Sequence, residues 1–137
     1  METHGIDCQI LSYGNNSPSY LDPKQAVVLC QMANEELAGY CKQYPGNFYG
    51  FAVLPVGDTG AALTELERAV KTLGLKGIIF NGAYQESYFD EDRFFPIFEM
   101  AQELKVPVML HPGEVPTEVA KTYYPVSYTH LTLPTKL

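Results

Sequence analysis

Val106-Pro107-Val108-Met109-Leu110-His111-Pro112-Gly113 is the stretch whose reading decides the fold. A short apolar run ends in an imidazole and is stopped at once by Pro-Gly, a turn-forming pair that extends neither strand nor helix. In parallel α/β proteins the chemistry gathers at the carboxyl ends of the strands. A lone polar side chain in that place makes His111 a candidate metal ligand or general base. Bonding to nearby backbone is the blander account of a single histidine. One histidine cannot make a catalytic zinc site, which needs about three protein ligands and an open position.

Working back from His111, the same unit recurs. Ile6 to Tyr13, Phe48 to Val56 and Leu75 to Phe80 are apolar runs, each followed by turn-forming residues. Such runs suit strands covered on both faces. Between them lie helical patterns. Asp22 and Pro23 open the first, whose stripe is Ala26, Val27, Cys30, Ala33, Leu37, Tyr40 and Cys41. Tyr44-Pro45-Gly46 closes it. Asp58 or Thr59 opens the second, with Leu63, Leu66, Val70 and Leu73 on one face and Gly74 at its end. The third begins near Asp92 and carries Phe94, Phe95, Phe98, Ala101 and Leu104. The order is β-α-β-α-β-α-β, which requires parallel strands with right-handed crossovers. Pattern alone leaves two architectures open, an open doubly wound sheet and part of a closed barrel.

Composition narrows the function classes. The chain has 137 residues, 46% of them apolar, and a formal net charge of −7. That is enough for one globular domain with a core. Acidic residues are scattered and no basic stripe occurs, which argues against a nucleic-acid partner. No apolar run approaches the ~18 residues of a membrane span, and the N-terminus lacks a signal-peptide pattern. Cys8, Cys30 and Cys41 have no Cys-x-x-Cys spacing and read as buried thiols in a reducing cytoplasm. Residues 1–125 form the expected domain. From Val126 to Thr135 the periodicity is lost, and the segment resembles the in-frame translation of a transposon-end adapter used in sequencing libraries. Residues 126–137 are therefore expected to be a non-native tail, which leaves His130 without a role.

With these segments in hand, residues 1–116 resemble the amidohydrolase-2 family, metal-dependent (β/α)8 barrels that include aminocarboxymuconate-semialdehyde and dihydroxybenzoate decarboxylases. Four stretches carry the resemblance: Gly5 to Ser12, Tyr44 to Pro55, Leu75 to Phe80 with Tyr88-Phe89-Asp90 and Asp92 to Pro96, and Val106 to Gly113. They are similar to the family's strands two to five, so the resemblance implies a partial TIM barrel. It also implies that His111 is a metal ligand, the metal being Zn2+. The family's first strand carries a His-x-His pair, and here His4 stands alone. The later acid/base histidine and aspartate ligand have no counterpart either. The expectation is a fragment, inactive by itself, of a metal-dependent decarboxylase of an unsaturated or aromatic acid, or of a hydrolase. Its partner would be a small carboxylic acid, ester or amide, and an oligomer is left open. The alternative is a non-enzymatic flavodoxin-like module that binds a ligand or partner.

Other candidates sit near strand ends. Asn81 and Tyr84 follow the third strand and are placed for substrate contact, although turn formation explains an Asn-Gly equally well. The same choice applies to Gly14, Asn15 and Asn16. Asp90 and Asp92 could pass for a metal pair, but capping of the next helix is the simpler account. Glu114 follows His111 closely and could orient a ligand or touch substrate, but a solvated loop acid is the simpler account; Asp7 opens a strand and is read as structural.

Overall fold

A computed structural model describes residues 5–14, 16–113 and 115–122. The elements are β1 (Gln9–Leu11), α1 (Pro23–Gln43), β2 (Phe48–Ala52), α2 (Thr59–Lys71), β3 (Gly77–Asn81), α3 (Phe95–Glu103) and β4 (Val108–His111). All neighbouring strands are parallel, in the order β1-β2-β3-β4. Ligand modules of the flavodoxin type bind where strand order reverses. Among the described residues no reversal occurs, so the alternative has no such crevice there. Four parallel strands in sequential order, with the three helices that connect them, form one half of a (β/α)8 barrel.

The helix starts follow their capping residues. The Asp22 side chain accepts the Lys24 N–H, with Pro23 in the first turn, and Asp58 accepts the Ala61 N–H. Gly46 and Gly74, beyond the ends of α1 and α2, adopt φ of +82° and +77°, which glycine takes at no steric cost. α3 differs. The chain enters it through a 3-10 turn, Asp92–Phe94, and neither start carries a side-chain cap. The expectation that Asp90 or Asp92 caps this helix is not met. Winding from the 3-10 turn directly into Phe95 supplies the entry instead.

The sheet has two distinct faces. Ala52, Leu54, Ile78 and Phe80 pack in one cluster with Leu66 and Ala69 of α2 and Ile97 and Ala101 of α3. Phe51, Val53 and Ile79 alternate to the opposite, concave face, where Cys30 and Ala33 of α1 join them. β1 is shorter than the apolar run Ile6 to Tyr13 suggests. It pairs with β2 only from Gln9↔Phe48 to Leu11↔Gly50. Beyond that, α1 occupies the edge of β2. The Val53 N–H donates to Asn34 Oδ1 at 2.9 Å, and Asn34 Nδ2 donates to the Val53 carbonyl at 2.9 Å. One amide side chain thus replaces a strand partner.

Asn34 Nδ2 also donates to Glu65 Oε1 at 2.7 Å, and Arg68 Nε donates to Glu65 Oε2 at 2.8 Å. Glu65 is 2% exposed. A buried carboxylate is costly unless paired and hydrogen-bonded, and here it is both. The cysteine expectation needs correction: Cys30 is buried, but Cys41 is partly exposed and Cys8 lies on the surface ahead of β1. Among the described residues no helix is long and apolar enough to cross a membrane. The tail expected to be foreign, 126–137, lies outside the described residues, as do His4, Asn15 and Glu114.

Candidate functional site

The register of β3 and β4 pairs Ile79 with Met109 and Asn81 with His111. Alternation puts Asn81 on the face of Ile79, away from α2 and α3, and His111 beside it. Two polar side chains therefore end adjacent parallel strands on the concave face. The Gly82 N–H donates to the His111 carbonyl at 2.8 Å and closes that rung. The chain then folds back tightly. A Cβ on Gly113 would come within 2.9 Å of the backbone carbon of Asn81 and the nitrogen of Gly82. Glycine at 113 lets the Pro-Gly turn pass over the end of β3.

His111 Nδ1 lies 2.6 Å from the Pro112 carbonyl oxygen. A carbonyl only accepts, so this contact calls for the proton on Nδ1, and in the neutral ring that tautomer leaves the Nε2 lone pair for another partner. This backbone bond is the one the bland account of His111 calls for. It is also how a ligating histidine is held in the right tautomer. The imidazole fits one corner of a metal site. Among the described residues no group of three or more His, Cys, Asp or Glu stands together to complete one.

Asn81 is 4% exposed. Its N–H donates to the Tyr20 hydroxyl at 2.9 Å, and the same hydroxyl donates to its carbonyl. Its Nδ2 donates to the Tyr13 carbonyl at 3.3 Å. Its Oδ1 is buried with no hydrogen-bond partner among the described residues. An orphaned buried acceptor costs free energy and suits a site that awaits a donor.

Tyr84, the other expected contact residue, is not brought to His111. It is 3% exposed and belongs to the cluster on the helix side. Its ring stacks on Tyr20 at 6.1 Å, and the Arg93 guanidinium lies 5.8 Å from its centre. A Cβ on Gly57 would lie 2.3 Å from its hydroxyl. In the same loop, Glu86 accepts both the N–H and the hydroxyl of Thr117, at 2.9 and 2.8 Å. That carboxylate anchors the start of the helical residues 117–122. The larger cleft, about 710 Å3, lies over α1 and is bordered by Tyr13, Asn16, Tyr20, Met32 and Glu36. A second, of about 420 Å3, lies on the helix side of β4, against Phe98 and Leu110. Neither contains Asn81 or His111, and strand-end placement is the stronger guide to chemistry in this fold.

Sequence reasoning missed Tyr20 and Tyr13. Tyr20 lies 61 residues from Asn81 along the chain, and no periodic pattern marks it. Only its position in the loop after an early strand could have flagged it.

Residues 14–136 match the amidohydrolase family, and the chain belongs to that family. It is 38% identical over 121 residues to a gamma-resorcylate decarboxylase of Rhizobium radiobacter, covering 82% of this chain and 36% of the relative. The fold superposes on 2,6-dihydroxybenzoate decarboxylase from Rhizobium with a TM-score of 0.83 at 32% identity, covering 93% of this chain and 42% of that one. Dihydroxybenzoic acid decarboxylase from Polaromonas, solved with manganese and the inhibitor 2-nitroresorcinol, gives 0.83 at 35% identity, over 93% of this chain and 41% of that one. The chain spans about two fifths of the length of these relatives.

Proposed function

We propose that the protein carrying this chain is a metal-dependent decarboxylase of a hydroxylated aromatic or unsaturated carboxylic acid. The observation that supports it most is the pairing of Asn81 and His111 at adjacent strand ends, in a chain related to decarboxylases of dihydroxybenzoates. His111 would hold a divalent cation through Nε2, and Asn81 would offer its free Oδ1 to a hydroxyl of the substrate. Tyr84 would act from behind, as the surface on which Tyr20 rests. The cation supplies Lewis acidity toward substrate oxygens when bound. Zn2+ is the expectation from sequence and Mn2+ is the ion in a related structure; imidazole nitrogen suits either. Hydrolysis of an ester or amide is the less favoured reading, because the relatives reported above are decarboxylases. A cytoplasmic location is part of the proposal, supported by free thiols at all three cysteines.

The test uses the whole protein with Zn2+ or Mn2+ and gamma-resorcylate. Release of CO2 with loss of the carboxylate is expected. His111→Gln should lower metal content and turnover by about tenfold or more, since an amide is a poorer donor than imidazole, with an unchanged circular dichroism spectrum. Full metal occupancy and near-normal turnover in that variant would remove His111 from the site.

A further inference from the structure

We infer that Tyr20 is a positioning residue for Asn81: its hydroxyl replaces a strand and holds the end of β3 in the conformation that presents the Asn81 side chain. The inference rests on the reading of Asn81 as part of the substrate site.

The pairing of β2 with β3 ends at Ala52↔Ile78, whereas β4 stays paired through Asn81↔His111. In a parallel strand the N–H and C=O of one residue point to the same side, and those of the next to the other. Gly82 uses the β4 side, through the His111 carbonyl. Asn81 therefore turns its own N–H and C=O toward β2, where no strand partner remains. The Tyr20 hydroxyl meets both, accepting from the N–H at 2.9 Å and donating to the carbonyl. A hydroxyl has one donor and two acceptor sites, which matches this double role. Without it, two main-chain groups at a 4% exposed residue would lack these bonds.

The consequence reaches the side chain. Asn81 Nδ2 is engaged by the Tyr13 carbonyl, which leaves Oδ1 as the presented atom. Tyr13 and Tyr20 flank the loop that follows β1, so that loop holds Asn81 by main chain and side chain together. Tyr20 is itself steadied by stacking on Tyr84 at 6.1 Å, inclined by 30°. A shift of the Asn81 backbone would swing Oδ1 away from the face it shares with His111. Loss of the Tyr20 hydroxyl should weaken substrate recognition and leave metal binding alone.

The experiment compares Tyr20→Phe, Asn81→Ala and the double variant of the whole metal-loaded protein, with gamma-resorcylate as probe. Tyr20→Phe is expected to raise KM by about fivefold with kcat within about twofold, the signature of lost binding rather than lost chemistry. Metal content should not change, and the Asn81 amide should exchange with solvent about tenfold faster. In the Asn81→Ala background, Tyr20→Phe should add nothing further to KM. An additive rise in the double variant would mean that Tyr20 acts elsewhere and would overturn the inference. So would an unchanged KM in Tyr20→Phe when Asn81→Ala raises it. An unchanged KM in Asn81→Ala would sink the site reading itself, and this inference with it.

Discussion

Asn34 and Cys30 lie one helical turn apart on α1 and show how differently burial acts on two side chains. Asn34 is fully buried and bonds to the Val53 N–H, the Val53 carbonyl and Glu65. Asn34→Ala removes all three bonds at once: the buried Val53 N–H and carbonyl lose their partner, and Glu65 keeps only Arg68. It should lower stability by about 3 kcal/mol, the scale of buried polar groups left unpaired beside a charge. The urea midpoint measures this, and a change near zero would show that water takes over the bonds. Cys30 has no such network. Burial pushes its thiol up to about 12, with the Ser19 hydroxyl pulling the other way and Glu65 adding to the rise. Thiolate is the reactive form, so at pH 8 Cys30 should resist alkylation until the chain unfolds. Cys8, on the surface, should label first. Counting modified cysteines against time by mass spectrometry decides it, and rapid labelling of Cys30 would contradict the packing described. The sequence marked Cys30 correctly through its apolar stripe. It gave no warning about Cys8, because an apolar strand pattern does not reveal how few of its residues find a partner.

At the scale of elements, the loop after β3 and the helical residues 117–122 are joined by the Glu86–Thr117 contact. Those bonds hold the Glu86 carboxyl below its ordinary value, with the Thr117 hydroxyl as the largest cause and the Thr117 N–H next. A carboxyl lowered on folding stabilises the folded state above its unfolded pKa, and the effect is lost as pH falls through the folded value. Exchange of the Thr117 amide should therefore be slow at neutral pH and gain protection-loss only at acid pH, below the usual carboxylate range. Glu86→Gln should remove that pH dependence. A Thr117 amide with the same acid response in both forms would assign the effect to another group. Helix positions were legible wherever a local device sets them: Asp22, Asp58 and Gly74 act on neighbours within a few residues. The start of α3 was not, because its 3-10 entry depends on how the loop before it packs. Phe80 and Phe89 stack at 4.2 Å there, and Phe94 sits 4.9 Å from Phe89.

For the molecule as a whole, the two outer strands decide behaviour in solution. Among the described residues β1 and β4 each pair on one side only. They expose apolar side chains, with Ile10 at 56% and Leu110 at 67%. Unpaired edges on apolar strands invite association, and a closed barrel removes them. The 137-residue chain should therefore self-associate as its concentration rises. Sedimentation velocity over a range of concentrations tests this expectation. A monodisperse monomer throughout would show that the edges are protected. The sequence by itself determined the succession of strands and helices, the alternation that puts His111 at a strand end, and the family resemblance. These follow from periodicity, caps and turn residues, all of which act over a few positions. Only the tertiary structure decided that strand order is sequential, that Asn81 stands beside His111 while Tyr84 turns to the helix side, and that Asn34 and Tyr20 complete strand edges. Such choices depend on register and on hydrogen bonds between residues tens of positions apart, where the chain must first be folded before one group can meet the other.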